Sequence, residues 1–177
     1  MLPILLTVPV SVVFVLGAAT DVTDRRVPNQ LVLAGLPLAL LAAGSGGIGA
    51  LPGALLAGLV VLVAGFIGFA IGAIGGGDAK FLALGALAVG WSGLLPYVLA
   101  FGAIGGGLAI VQIARHKRGI EATVMTLDLA RHVGTLGRSG HRARLGDADR
   151  ITVPYAVAIA GAALLTLFTG YPTWLAT

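Results

Sequence analysis

From Leu51 to Ile74 the chain runs through leucine, valine, isoleucine, phenylalanine, alanine and glycine, with one proline and no polar side chain. About 20 such residues cross the hydrocarbon layer of a bilayer as a helix, a conformation that satisfies its backbone N–H and C=O groups internally. Five further apolar stretches accompany it: about Leu2 to Thr20, Gln30 to Ala43, Phe81 to about Leu94, Pro96 to Ala114, and Ile151 to Gly170. Pro37 predicts a kink in the second, and Gly85 and Gly90 interrupt the short fourth. With 58% of 177 residues hydrophobic and a mean hydropathy of +1.02, little material is left to stand outside a membrane. The fold expected is all-α: one integral-membrane domain over residues 1–177, a polytopic bundle of about six transmembrane helices.

Charge placement supplies an independent test of that count. Arg25 and Arg26 follow the first span, Lys80 follows the third, and the remaining eight of eleven basic residues lie between Arg115 and Arg150, after the fifth. The intervening loops, 44–52 and 91–95, carry no charge. Basic loops face the cytoplasm, so six spans put both termini outside and 115–150 inside as a basic cytoplasmic loop. Within it, Ile120 to Leu136 reads either as an interfacial amphipathic helix or as a disordered basic segment. All seven acids fall on the cytoplasmic side under this topology. No Lys or Arg precedes the first apolar run, which therefore reads as a retained span and not a signal peptide. The net charge of +4 is accounted for by topology, without a nucleic-acid partner. Cysteine is absent, which excludes disulfides, thiol nucleophiles and thiolate metal sites. His116, His132 and His141 are scattered through the basic loop, and no metal or cofactor is expected.

Against this background two acids stand out: Asp21, at the end of the first span, and Asp78, after Gly75, Gly76 and Gly77. An ionised side chain costs roughly 2.5–3.5 kcal/mol at the centre of a membrane helix on insertion scales, so acids this close to apolar spans point to function. Three successive glycines disfavour a helix interior, and the third span is expected to end or unwind there, leaving Asp78 in a hydrated notch. The bland alternative makes Asp78 an N-cap of the next helix. Lys80, two positions on, does not face Asp78 on a helix. Gly65, Gly68 and Gly72 recur at helical spacing and read as close-packing positions. After Asp21 come Thr23, Asp24, Arg25 and Arg26, then Pro28, suited to a helix start, and Asn29, a polar turn or cap residue. Asp24, beside the two arginines, reads as a solvated acid.

Asp21 with Pro28 and Asn29 seven and eight residues later, followed by the GxGD sequence of Gly75, Gly77 and Asp78 with Lys80 behind it, resembles the type IV prepilin peptidases. The run Val153-Pro154-Tyr155-Ala156-Val157 is similar to that family's C-terminal pattern, so the resemblance extends over about Thr20 to Gly161. It implies an intramembrane aspartyl endopeptidase with Asp21 and Asp78 as the catalytic pair, and with Gly75, Gly77, Lys80, Pro28 and Asn29 shaping the site or binding substrate. The substrate implied is a prepilin or pseudopilin, whose short basic leader is removed at the cytoplasmic face of a bacterial or archaeal plasma membrane. The compact chain looks like the small tight-adherence or Flp-pilus type. Longer members carry a cytoplasmic insert between the first two spans and methylate the product, an activity that the missing insert argues against.

In such a reaction one carboxylate deprotonates water while the other, protonated, polarises the scissile carbonyl. Glu121, Asp128, Asp147 and Asp149 are weaker candidates for attracting the basic leader. Two competing readings remain open on the residues alone. One is a small proton- or cation-coupled transporter that uses the same two aspartates, with the glycine run as a broken-helix site. The other is a non-enzymatic assembly subunit packed through its glycines.

Overall fold

The computed structural model describes residues 2–24, 26–44, 47–115 and 155–169, and all its regular structure is helical. Arg25, the basic segment 116–150 with its histidines and acids, and Val153 and Pro154 lie outside the described residues. We number the helices α1 (Leu2–Asp24), α2 (Asn29–Gly44), α3 (Leu51–Ala70), α4 (Gly76–Arg115) and α5 (Tyr155–Thr169), with a 3-10 turn at Ile48–Ala50 before α3. Three stretches are long and apolar enough to cross a membrane: Thr7–Asp24, Ile48–Ala70 and Gly76–Gln112. Asn29–Gly44 and Tyr155–Thr169 are shorter apolar helices.

Five helices, and not six, appear among the described residues because α4 carries both the fourth and the fifth expected spans. The break inside it is at Gly90, whose φ of 74° and ψ of −178° lie outside the helical region and favour a residue without Cβ. Beyond that break the chain folds back. The buried Tyr97 hydroxyl donates to the Leu82 carbonyl at 3.1 Å, and the phenol stands where a side chain on Gly85 would have to go. A straight helix would carry residues 82 and 97 more than 20 Å apart at about 1.5 Å per residue. The two halves of α4 are therefore a closed helical hairpin, pinned by one tyrosine.

α4 packs against α2, α3 and α5, and α1 packs against α2 and α5. The first half of α4 runs antiparallel to α3. Gly53, Gly58 and Gly65 of α3 lie against Trp91, Leu87 and Ala79, and a Cβ on Gly65 would stand 3.0 Å from that of Ala79. Small residues also form much of the interior: Ala39, Ala57, Ala86, Ala156, Ala158 and Ala162 are inaccessible. The outward faces carry Val12, Leu33, Leu59, Phe66, Leu99 and Ile110, all exposed. Alanine inside with branched and aromatic side chains outside reverses the arrangement that water favours.

The end of α3 differs from the expectation in a way that bears on the site. The helix stops at Ala70, and Gly72 takes φ 78°. The Ala73 N–H donates to the Gly68 carbonyl at 2.8 Å and the Gly72 N–H to the Phe69 carbonyl at 3.0 Å, the paired bonds of a Schellman cap. Gly72 is thus a left-handed turn residue and not a packing position; no atom would lie within 4 Å of a Cβ there. Gly65 and Gly68 do pack, on Ala79 and Ile74. The unwound segment is 71–75, and Gly76 and Gly77 already belong to α4.

Candidate active site

Asp21 occupies the last turn of α1 and is 8% exposed. Asp24, three residues on at the end of the same helix, is exposed. Phe14, Gly17 and Asp21 recur at helical spacing along one face of α1, and Asp78, Phe81 and Gly85 do so along α4. The two stripes meet through Phe81. Its inaccessible ring packs on Phe14 with centroids 5.2 Å apart and planes inclined by 52°. It lies so close to the Gly17 backbone that a Cβ there would be driven into it. Phe81 thus fills the gap between α1 and α4 one turn inside the two acids. At that spacing the Asp21 and Asp78 carboxylates, on different helices, interact electrostatically.

Each acid is held by a backbone amide. Asp78 is the third residue of α4, and its side chain reaches back to accept the Gly75 N–H, while the Gly75 carbonyl takes the Ala79 N–H at 3.0 Å. This is the backward half of a capping box, with the acid at the third helical position and Gly75 as N-cap. The expected N-cap alternative is met only in part: Asp78 caps from inside the helix. A Cβ on Gly75 would stand 2.7 Å from Asp78 Oδ2, so the glycine leaves room for the carboxylate. Asp21 Oδ2 accepts the Ala156 N–H at 3.0 Å across 135 residues of sequence. Ala156 is the second residue of α5, and first-turn amides have no acceptor within their own helix.

The segment before α2 closes one side. The Pro28 carbonyl accepts the N–H groups of Leu31 (3.0 Å) and Val32 (3.4 Å), which places Pro28 at the N-cap position and Asn29 as the first helical residue. Val27 is buried, and its carbonyl oxygen lies 3.5 Å from where a Cβ on Gly77 would be. Lys80, exposed, donates from Nζ to Asn29 Oδ1 at 3.1 Å. The two sequence motifs, fifty residues apart, are therefore joined in space, and all seven residues singled out in the sequence lie at or beside the helix ends that meet here.

The model of the type IV leader peptidase family matches residues 8–111, more than half of the chain. The chain belongs to the type IV leader peptidase family. No curated protein and no solved structure matches it. Family membership makes it a leader peptidase-type protease, and the matched residues include both acids, the glycine run, Pro28, Asn29 and Lys80. The leader-peptidase match ends before α5, so Ala156 lies beyond it. Among the described residues no group of three or more His, Asp or Glu side chains is placed to hold a metal ion.

Sequence reasoning passed over Gly17, Phe81 and Ala156. Gly17 lies four residues before Asp21 and Phe81 three after Asp78, a helical repeat on each side that was present in the sequence. Its meaning depends on which helix faces which, and that is a tertiary fact. The contribution of Ala156 comes from its main chain, which no residue type announces.

Proposed function

We propose that this protein is an intramembrane aspartyl endopeptidase that removes the short basic leader from prepilins or pseudopilins, with Asp21 and Asp78 as its catalytic pair. The single observation that carries the reading is that these two carboxylates, from α1 and α4, are near enough to interact electrostatically, both within the segment matched by the leader peptidase family.

The chemistry follows from the pair. Two carboxylates that share one site titrate as a unit, so one can be ionised while the other holds a proton. The ionised acid takes a proton from water as the water oxygen bonds to the scissile carbonyl carbon. The protonated acid gives its proton to the carbonyl oxygen. The acid that took the water proton then gives it to the leaving nitrogen while the other takes a hydroxyl proton from the tetrahedral diol. This breaks the C–N bond, forms the product carboxyl group and restores one ionised and one protonated acid. The two backbone N–H bonds, to Asp78 and to Asp21, hold the carboxylates while this happens.

Localisation follows the same line. The exposed branched and aromatic side chains and the alanine interior suit a bundle in lipid, multi-pass in a plasma membrane. The basic residues at Arg26 and Lys80 lie at the same end as the acids, which the positive-inside rule assigns to the cytoplasm, the side on which a prepilin leader is presented. Pro28, Asn29, Gly75, Gly77 and Lys80 shape the rim against which an extended leader segment would lie. The test is coexpression with candidate prepilins, reading leader removal as a mobility shift for the wild type and for Asp78→Asn. Processing by the wild type and not by the variant supports the reading. Equal processing by both, with the variant correctly inserted, removes it.

A further inference from the structure

The bond between Asp21 and Ala156 is unusual in where its donor comes from. α5 lies outside the residues matched by the family, yet it packs against both α1 and α4, the two helices that carry the acids. Its contacts are tight and built on small residues. Ala158 faces Gly105 of α4, Gly161 faces Ile104, and Ala156, Ala158 and Ala162 are inaccessible. The helix therefore has little freedom to slide or turn, and a first-turn amide held this way stays where packing puts it. With Asp21 8% exposed and Ala156 inaccessible, bulk water has little access to replace the bond if it is lost.

We propose that the first turn of α5 is a positioning element of the active site, in which the Ala156 main-chain N–H fixes the Asp21 carboxylate for catalysis. The inference rests on the aspartyl protease reading and goes beyond it, because it assigns a role to a part of the chain that the family match leaves out. The Ala156 amide does not touch substrate. It acts through Asp21, by engaging Oδ2 and so setting the rotation of the carboxylate toward Asp78. First-turn amides are available for this without loss to the helix, since no carbonyl of α5 competes for them. The role falls to a backbone group, so many side chains at position 156 would leave it intact provided that they fit.

The decisive experiment removes the N–H while keeping the side chain. Incorporating L-lactic acid in place of Ala156 by nonsense suppression turns that amide into an ester, with the methyl group and helix dihedrals retained. The same replacement at Ala160, one turn further into α5, serves as control, because it deletes an ordinary intrahelical hydrogen bond and not a bond to Asp21. Cleavage of a prepilin peptide in liposomes is then measured as kcat and KM separately, beside thermal unfolding. The 156 ester should lower kcat about ten- to a hundred-fold, the rate equivalent of one hydrogen bond to a charged group, with KM and unfolding temperature close to those of the control. The 160 ester should keep the wild-type kcat.

A 156 ester that cuts at the wild-type kcat overturns the proposal. So does one that loses assembly well beyond the 160 control, because the bond is then a support of the fold and not of the reaction. Asp21→Asn and Asp78→Asn run in the same assay separate the two levels. If either still cuts at the wild-type rate, the aspartyl protease reading fails. If both are silent while the 156 ester is fully active, only the role of α5 does.

Discussion

Phe81 of α4 occupies the space that a side chain on Gly17 of α1 would need, one helical turn below the two acids. Gly17→Ala must therefore displace the ring, and with it the separation of α1 and α4. Overpacking of this kind costs about 1–3 kcal/mol. We expect a lower unfolding temperature in detergent together with a loss of cleavage, and partial recovery of both when Phe81→Leu is added. A double-mutant cycle reads the coupling. Strict additivity of the two substitutions would mean that the ring does not set the spacing.

Asp21 and Asp24 are three residues apart and differ sharply in surroundings, one buried beside Asp78, the other exposed at the end of α1. Asp21→Asn and Asp78→Asn should each lower the initial cleavage rate by at least about 100-fold, since an amide can neither take nor give the proton. Asp24→Asn should retain most of the activity. Initial rates in liposomes at matched protein levels decide it, and a silent Asp24→Asn beside an active Asp21→Asn would move the assignment.

The two glycines of the GxGD sequence should not be equivalent. A methyl group at 75 would stand 2.7 Å from Asp78 Oδ2 and push the carboxylate from its bond to the Gly75 amide. At 77 it would meet Val27 at ordinary contact distances, the carbonyl oxygen nearest at 3.5 Å. Gly75→Ala should accordingly fold and lose most of its kcat, whereas Gly77→Ala should stay active. Gly77→Val, whose branches must extend toward Val27 from that same point, should not. Comparable rates for Gly75→Ala and Gly77→Ala would contradict the geometry.

The Lys80–Asn29 hydrogen bond joins the two motifs at the exposed rim. Lys80→Ala and Asn29→Ala should each lower kcat/KM by about three- to ten-fold, the range of a single modest hydrogen bond. The double variant should be no worse than either single one. Additive losses would show that the two residues act on substrate separately.

Much of this was legible in the sequence because apolar length, glycine and charge act locally. Hydrophobic runs gave the helices, and the positions of Arg26 and Lys80 gave the end at which the acids gather. Three things were not legible. The close of α3 was placed at the glycine run, but Gly72 ends it earlier, since either glycine cluster suits a helix stop and only the hydrogen-bond pattern chooses between them. The hairpin within α4 turns at Gly90, at the edge of the expected loop 91–95, because the positive φ belongs to the glycine, and the proline is accommodated within the helix. The donors to Asp21 and Asp78 are backbone amides, and a sequence does not display its main chain.

The bond from Ala156 to Asp21 also sets an order of events. Both acids are present once residue 78 has been made, but the amide that holds Asp21 comes only with residue 156. The nascent chain therefore holds both aspartates before the amide that fixes Asp21 exists. Assembly of this contact waits for α5. For an aspartyl protease built this way cleavage would wait for α5 to dock, and a chain stalled before α5 would carry the acids without the amide that holds Asp21.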